Sequence, residues 1–456
     1  MDARRNSLIE GSIWKGMLLF ALPVFLGNLL QQFYNTFDSW VVGHFIGGTA
    51  LAAVSSSGSL VYMMLSFFNG VAMGGGVVIA NLYGARKYGE MGRVIHTEIL
   101  FGLAAGAVLT VFGVAATPTI LGWMGTPELV LPQAIRYFRF FSYGIVFSVM
   151  YNVFVGILHA VGDSRHPLIF LMISSLVNVA LDLLFVAVLK LGVGAAAAAT
   201  TISQGISALL CCVYLIRARE EPYGIRRQEL RLHWESLERI LRFGLPSGVQ
   251  NSVIALANVV VQSNINAFDA AAVAGCGAYS KLEGFAFLPI TCFTQALSTF
   301  VGQNLGAHRH DRVKKGVTFG ILCAVILAEA IGIVSYILAP EMIGFFNDQP
   351  EVVDFGTRHM RTICLFYCLL ALSHCIASIM RGAGKATVPM VTMLICWCVI
   401  RVAYITIAVR YVPELETVSR AYPITWTCSS IVFLIYFFKA DWIHNFDRLE
   451  AKRKQA

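Results

Sequence analysis

Long apolar stretches recur along this chain, for example Ile99–Ala116 and Gly316–Ala339. A helix of about 20 such residues crosses the roughly 30 Å hydrocarbon core of a bilayer. In lipid every backbone polar group must be satisfied inside the spanning structure, which leaves only helices and closed barrels. The runs are continuous rather than alternating, so a barrel is excluded. Composition agrees: 57% of the 456 residues are hydrophobic and 13% are charged, against about 25% charged in a typical soluble domain. The mean hydropathy is +0.69. These values exclude a soluble enzyme, a disulfide scaffold and a disordered chain. The eleven cysteines lie mostly within apolar runs. They show no Cys-x-x-Cys or Cys/His spacing, and read as small buried residues.

Twelve spans are predicted, at about residues 14–42, 50–82, 94–116, 133–160, 166–189, 193–216, 238–265, 273–304, 316–339, 357–380, 387–409 and 418–438. The segment Met1–Gly11 is polar and leads into the first span without a cleavage site, so that span is expected to be retained. Basic residues collect on one set of connections: Arg4, Arg5, Arg86, Lys87, Arg93, Arg165, the cluster Arg217–Arg242, Arg309, Arg312, Lys314, Lys315, Arg381, Lys385 and the tail Lys452–Lys454. The opposite connections are poor in them, and Pro340–Asp354 is acidic. This is the positive-inside pattern, with both termini cytoplasmic. The net charge of +8 therefore reports topology, and no nucleic-acid partner is expected.

The two halves repeat one another. Phe20-Ala21-Leu22-Pro23 returns as Phe243-Gly244-Leu245-Pro246. Gly84 returns as Gly306, and Gly162 as Gly384, each at an offset of 222 (306 − 84 and 384 − 162). Six spans per half keep the halves in one orientation, as parallel repeats with a substrate site expected between them. The predicted fold is an all-α membrane protein with twelve transmembrane helices in two six-helix lobes. The expected boundaries are an amino-terminal lobe at 1–216, a cytoplasmic linker at 217–237, a carboxy-terminal lobe at 238–440 and a tail at 441–456. The run Glu229–Leu241 reads as an interfacial amphipathic helix within the joining segment.

Polar residues inside spans are costly, and they mark candidate function. Gln31, Tyr34, Asn35 and Asp38 share one face of the first span, at i, i+3, i+4 and i+7. Asn178 and Asp182 share one face of the fifth. Asp38, Asp182 and Thr200 of the sixth span lie at similar depth, about 12–14 Å below the outer surface at 1.5 Å per residue. Two carboxylates, an amide oxygen and a hydroxyl suit a hard cation such as Na⁺, and they equally suit a proton, because two close carboxylates cannot both ionise easily. Pro23 interrupts the backbone bonding of the first span, as a hinge or as a passive packing kink.

The second half does not repeat this chemistry, since Val261 and Tyr404 stand at the positions equivalent to Asp38 and Asp182. It carries instead Arg401, Glu329, Lys281 and Glu283. Arg401 is placed to attract an anionic group or to pair with Glu329. Gln31, Asn35, Asn152, Asn258, Gln295 and Arg401 are candidates for lining a substrate cavity. Gly74-Gly75-Gly76 and Ala195–Ala199 mark close helix packing. Arg381–Lys385 fails the phosphate-loop pattern, so no nucleotide is expected. The histidines are scattered without metal-ligand spacing, and no structural metal or cofactor is expected.

These motifs in order, from Pro23 and Tyr34-x-x-x-Asp38 through Gly162–Pro167, Asn178-x-x-x-Asp182 and Thr200 to Val301-Gly302-Gln303-Asn304-x-Gly306-Ala307, resemble the multidrug and toxic compound extrusion (MATE) family. The likeness covers nearly the whole chain and is nearest to the prokaryotic DinF-like branch. It implies a V-shaped bundle of two lobes. It also implies export of organic, often cationic, compounds in exchange for H⁺ or Na⁺, with a cation site at Asp38, Asn178, Asp182 and Thr200. Tyr34 and Asn152 match positions lining that pocket. Another branch uses acids on its seventh and tenth helices, which this chain lacks.

The expected function is therefore a cation-coupled antiporter for small organic molecules, not an enzyme. It would act as a monomer among the lipids of a prokaryotic inner membrane. The alternative is a flippase for lipids or lipid-linked oligosaccharides from the related superfamily.

Overall fold

A computed structural model describes residues 8–123 and 128–455. Arg4 and Arg5 of the charge pattern lie outside the described residues. The helices are α1 (Ile13–Phe45), α2 (Gly48–Gly84), α3 (Tyr88–Trp123), α4 (Leu131–Tyr143), α5 (Ile145–Ala160), α6 (Arg165–Asp182), α7 (Val193–Arg217), α8 (Trp234–Ile265), α9 (Ala270–Ala286) and α10 (Leu288–Gly306). They continue with α11 (His310–Ile337), α12 (Ala339–Gly344), α13 (Pro350–Cys364), α14 (Tyr367–Gly382), α15 (Thr387–Met393), α16 (Arg401–Tyr411), α17 (Leu415–Ser419), α18 (Ala421–Lys439) and α19 (Asn445–Gln455). Two π-helical segments, Leu183–Val188 and Leu394–Ile400, continue α6 and join α15 to α16. No strand occurs among the described residues.

Among the described residues ten helices are long and apolar enough to cross a membrane, and the number is twelve if each of the bent pairs α4–α5 (49°) and α13–α14 (51°) is one span. The bends fall at Gly144 and Phe366, again 222 apart (366 − 144). The repeat extends to backbone conformation: Gly162 and Gly384 both have positive φ (88° and 73°), as do Arg86 and His308 (55° and 54°). Proline at the first or second position starts α4, α10, α12 and α13, where its missing N–H costs nothing. Large apolar side chains such as Val108, Val111, Ile326 and Ile337 are exposed. That is the surface of a protein solvated by lipid.

Two compact units form, divided at Leu26 and Val249 rather than at the joining segment. The first comprises Leu26–Gly248. Its core includes Val41, Val42, Leu121, Phe138, Ile145 and Ala196. The second comprises Val249–Ala456 with the amino-terminal stretch as far as Phe25. Met17, Phe20, Ala21 and Val24 of α1 belong to its core with Phe300, Ile376 and Phe433. Each division therefore falls within three residues after a proline inside a helix, Pro23 of α1 and Pro246 of α8.

The joining segment differs from expectation. No separate amphipathic helix forms over Glu229–Leu241. A short 3₁₀ turn covers Arg227–Glu229, and α8 then runs unbroken from Trp234 to Ile265. The segment is pinned to α3 and to α8 itself. The Arg226 N–H donates to His96 Nε2 (3.0 Å) and the His233 N–H to Thr97 Oγ1 (3.2 Å). Arg239 pairs with Glu90 (2.9 Å) and Glu235 (2.8 Å). Leu237 and Ile240, the apolar side of the expected amphipathic run, are buried.

Candidate coupling site

The site is built from α1, α4, α6 and α7. Tyr34 and Asp38 lie one turn apart on α1, and both are buried. The Tyr34 hydroxyl accepts a bond from Gln204 Nε2 of α7 (3.2 Å) and interacts with Gln31. Thr200 lies one turn before Gln204 and so shares its face of α7. It is buried, and its hydroxyl donates to the Ala196 carbonyl (3.2 Å), leaving its oxygen lone pairs for another partner.

Asn178 and Asp182 close α6, at 1% and 0% exposure. Asp182 is the last α-helical residue before the π-helical segment. Such segments are frequent at functional sites. Asp163 holds the start of this helix. Its Oδ1 accepts the N–H groups of Arg165 and His166 (3.2 Å each), while its Oδ2 takes the Tyr214 hydroxyl (3.2 Å) and the His166 ring (2.6 Å).

Asp38 acts electrostatically on Asp182. Both act on Tyr137 of α4, a buried phenol that the sequence reasoning passed over. Asp38 Oδ1, both oxygens of Asp182 and both polar side-chain atoms of Asn178 have no hydrogen-bond partner among the described residues. Buried polar groups are normally satisfied. Unpartnered carboxylate and amide oxygens are the kind of donors that hard cations and protons take.

The cavity candidates divide. Gln31 is half-buried beside Tyr34, whereas Asn35 and Gln295 are exposed. Asn152 donates to the Ser148 carbonyl of its own helix (2.8 Å). Asn258 is exposed and accepts from Arg401 Nη1 (3.3 Å). Arg401 follows the second π-helical segment and is fully buried. It donates to Thr425 (3.0 Å) and lies over the rings of Trp397 (5.1 Å) and Tyr422 (4.7 Å). Tyr422 and Glu283 are its electrostatic neighbours, while Glu329 accepts the Cys368 N–H (3.1 Å). Pro23 lies inside α1, which continues as helix on both sides of it.

A second buried carboxylate site also escaped the sequence reading. Glu98 of α3 is 1% exposed with neither oxygen paired, and its carboxyl lies against Gly75 of α2. Glu98 lies ten residues into α3 (98 − 88), where a single carboxylate gives no periodic signal.

The family model MatE matches residues 23–184 and again 246–407, two blocks offset by 223 (246 − 23 and 407 − 184). The chain belongs to the MatE family. The double match is the internal repeat seen from outside, and both blocks open on the prolines that precede the divisions between the compact units by three residues. This MatE chain is a multi-pass membrane transporter and not an enzyme. It is 29% identical over 434 residues to a probable multidrug resistance protein, YoeA, of Bacillus subtilis, covering 93% of this chain and 94% of that one. It is 23% identical to an FAD transporter of Shewanella oneidensis, covering 92% and 93%. Among solved structures, a MOP superfamily transporter from Pyrococcus furiosus matches with a TM-score of 0.90 at 22% identity, over 96% and 97% of the two chains. That likeness establishes the fold.

Proposed function

We propose that this transporter exports small organic, cationic or amphipathic compounds in exchange for H⁺ or Na⁺ by alternating access. The observation that carries the reading is the pair Asp38 and Asp182, buried on two spans and left with unpartnered oxygens. Relatives named as multidrug resistance proteins support an organic cargo. The coupling ion binds at Asp38, Asn178, Asp182 and Thr200, with Tyr34 and its bond to Gln204 holding one wall.

Binding neutralises charge that is costly to keep unpaired at this depth. Neutralisation changes the balance of forces on α1, whose helix lacks one backbone bond at Pro23. The part of α1 beyond Pro23 then moves with the pocket, and cargo leaves outward. The charge pattern supports both termini on the cytoplasmic side of a prokaryotic inner membrane.

The test uses the purified chain in proteoliposomes loaded with ethidium. A pH gradient and a Na⁺ gradient are imposed in separate runs, and ethidium efflux is followed. One gradient is expected to drive export, and Asp38→Asn and Asp182→Asn to abolish that drive while the protein remains folded by circular dichroism. Full gradient-driven export by Asp38→Asn would overturn the proposal. Translocation of a lipid-linked oligosaccharide, with no ethidium efflux under either gradient, would favour a flippase.

A further inference from the structure

The turn between α10 and α11 carries two histidines. His308 occupies the left-handed turn position (φ 54°) and His310 opens α11. The equivalent turn of the first half has the same backbone but carries Arg86 and Tyr88 at those places (308 − 222 and 310 − 222). The shape of the turn is therefore a property of the repeat, whereas the two imidazoles belong to the second half alone.

The tail brings a third group to them. Trp442 is buried, and Asn445 Nδ2 donates to the Ala383 carbonyl (2.9 Å), which seats α19 against this end of the second unit. In the first turn of α19, Asp447 offers one oxygen to each histidine. Its Oδ1 lies 3.0 Å from His308 Nδ1 and its Oδ2 lies 3.7 Å from His310 Nε2. All three ligand atoms lie within 4.8 Å of one another. The ring of a third histidine, His444, stands 4.8 Å from that of His310, with its Nδ1 held by Asp441 (2.7 Å).

Three nearby arginines are engaged elsewhere. Arg448 pairs with Asp441, while Arg309 and Arg312 donate to the carbonyls of Ile9, Leu8, Glu10 and Gly11. They leave the Asp447 carboxylate to the imidazoles.

We propose that His308, His310 and Asp447 form a binding site for a divalent transition-metal ion of the zinc type, which clasps α19 to the α10–α11 turn. Two imidazoles and one carboxylate are a common ligand set for Zn²⁺, with the fourth position left to water. Metal–ligand bonds of about 2.0–2.1 Å require the three atoms to shift from the positions they hold here. The side chains have room to move, because His308 is 64% and Asp447 35% exposed. Sequence spacing conceals the site, since Asp447 lies 137 residues after His310 (447 − 310).

The experiment uses the full chain, purified without a histidine tag, and Co²⁺ as a spectroscopic probe that Zn²⁺ then displaces. The expected result is a visible absorption spectrum of four-coordinate Co²⁺ at one equivalent, lost on adding Zn²⁺. Hydrogen exchange in α19 is expected to slow when metal is present. His308→Gln, His310→Gln and Asp447→Asn should each weaken binding by at least the roughly 10- to 100-fold that even outer-shell changes cost, whereas His44→Gln should not. Each variant is checked for folding by its circular dichroism. Absence of the spectrum in the wild-type chain, or unchanged affinity in a folded His308→Gln/His310→Gln double variant, would overturn the proposal.

Discussion

Gly74 of α2 lies so close to Gly244 of α8 that a β-carbon on Gly74 would stand 2.2 Å from the Gly244 amide nitrogen. One turn away, Gly70 meets Gly248 in the same manner, with a built β-carbon 2.4 Å from the Gly248 nitrogen. Two Gly-x-x-x-Gly stretches thus pack backbone to backbone, Gly70 and Gly74 against Gly244 and Gly248. In lipid, helices associate through such close approach rather than through the hydrophobic effect.

The neighbouring glycines meet different partners, which makes the contact testable. A β-carbon on Gly76 would lie an ordinary 3.6 Å from the Gly156 carbonyl oxygen. Gly74→Ala is expected to destabilise the protein by about 1–3 kcal/mol through overpacking, and Gly76→Ala to leave it nearly unchanged. Thermal unfolding of the two variants in detergent compares them directly.

Tyr34 and Gln204 test the wall of the coupling pocket. Tyr34→Phe removes the oxygen that accepts from Gln204 Nε2 and leaves a buried amide without a partner. The expected cost is about 1–3 kcal/mol. Adding Gln204→Leu to Tyr34→Phe should recover part of it, since replacing both partners by apolar groups is nearly neutral. A double-mutant cycle on unfolding midpoints measures the coupling. Equal losses that simply add would show that the bond contributes nothing.

Asp163 is expected to govern α6 from its start. Asp163→Ala removes the acceptor for two backbone amides and for Tyr214. Capping losses of this kind cost about 0.5–2 kcal/mol. Hydrogen exchange at the first turn of α6 should rise in the variant, and Asp163→Asn should recover part of the protection.

Arg401 depends on the fork of its guanidinium, which reaches Asn258 and Thr425 while lying over Trp397 and Tyr422. A lysine keeps the charge but loses the planar face and one of the two directed bonds. Arg401→Lys is expected to cost about 1.5–3 kcal/mol, the scale of a hydrogen bond to a charged group. The unfolding midpoint reads this out, and a midpoint equal to the wild type would mean that charge alone is used.

Much of the architecture was legible in residue order because it is local. Apolar runs of bilayer length mark the spans, and i, i+4 spacing places Tyr34 with Asp38 and Asn178 with Asp182 on single faces. Motifs 222 residues apart announce the repeat, which the backbone obeys even at the left-handed positions Arg86 and His308. Periodicity reports which face of a helix is polar, but not which other helix that face meets. Packing between remote segments decided that Tyr137 joins the carboxylates, that Arg401 reaches Asn258 and Thr425 rather than Glu329, and that Asp447 reaches His308 and His310. It also placed the start of α1 in the core of the second unit. Burial in lipid satisfies the apolar surface of any span equally well. The partner of each polar group is therefore chosen by shape, where glycines and other small residues let two particular helices come close, and that choice belongs to the tertiary structure alone.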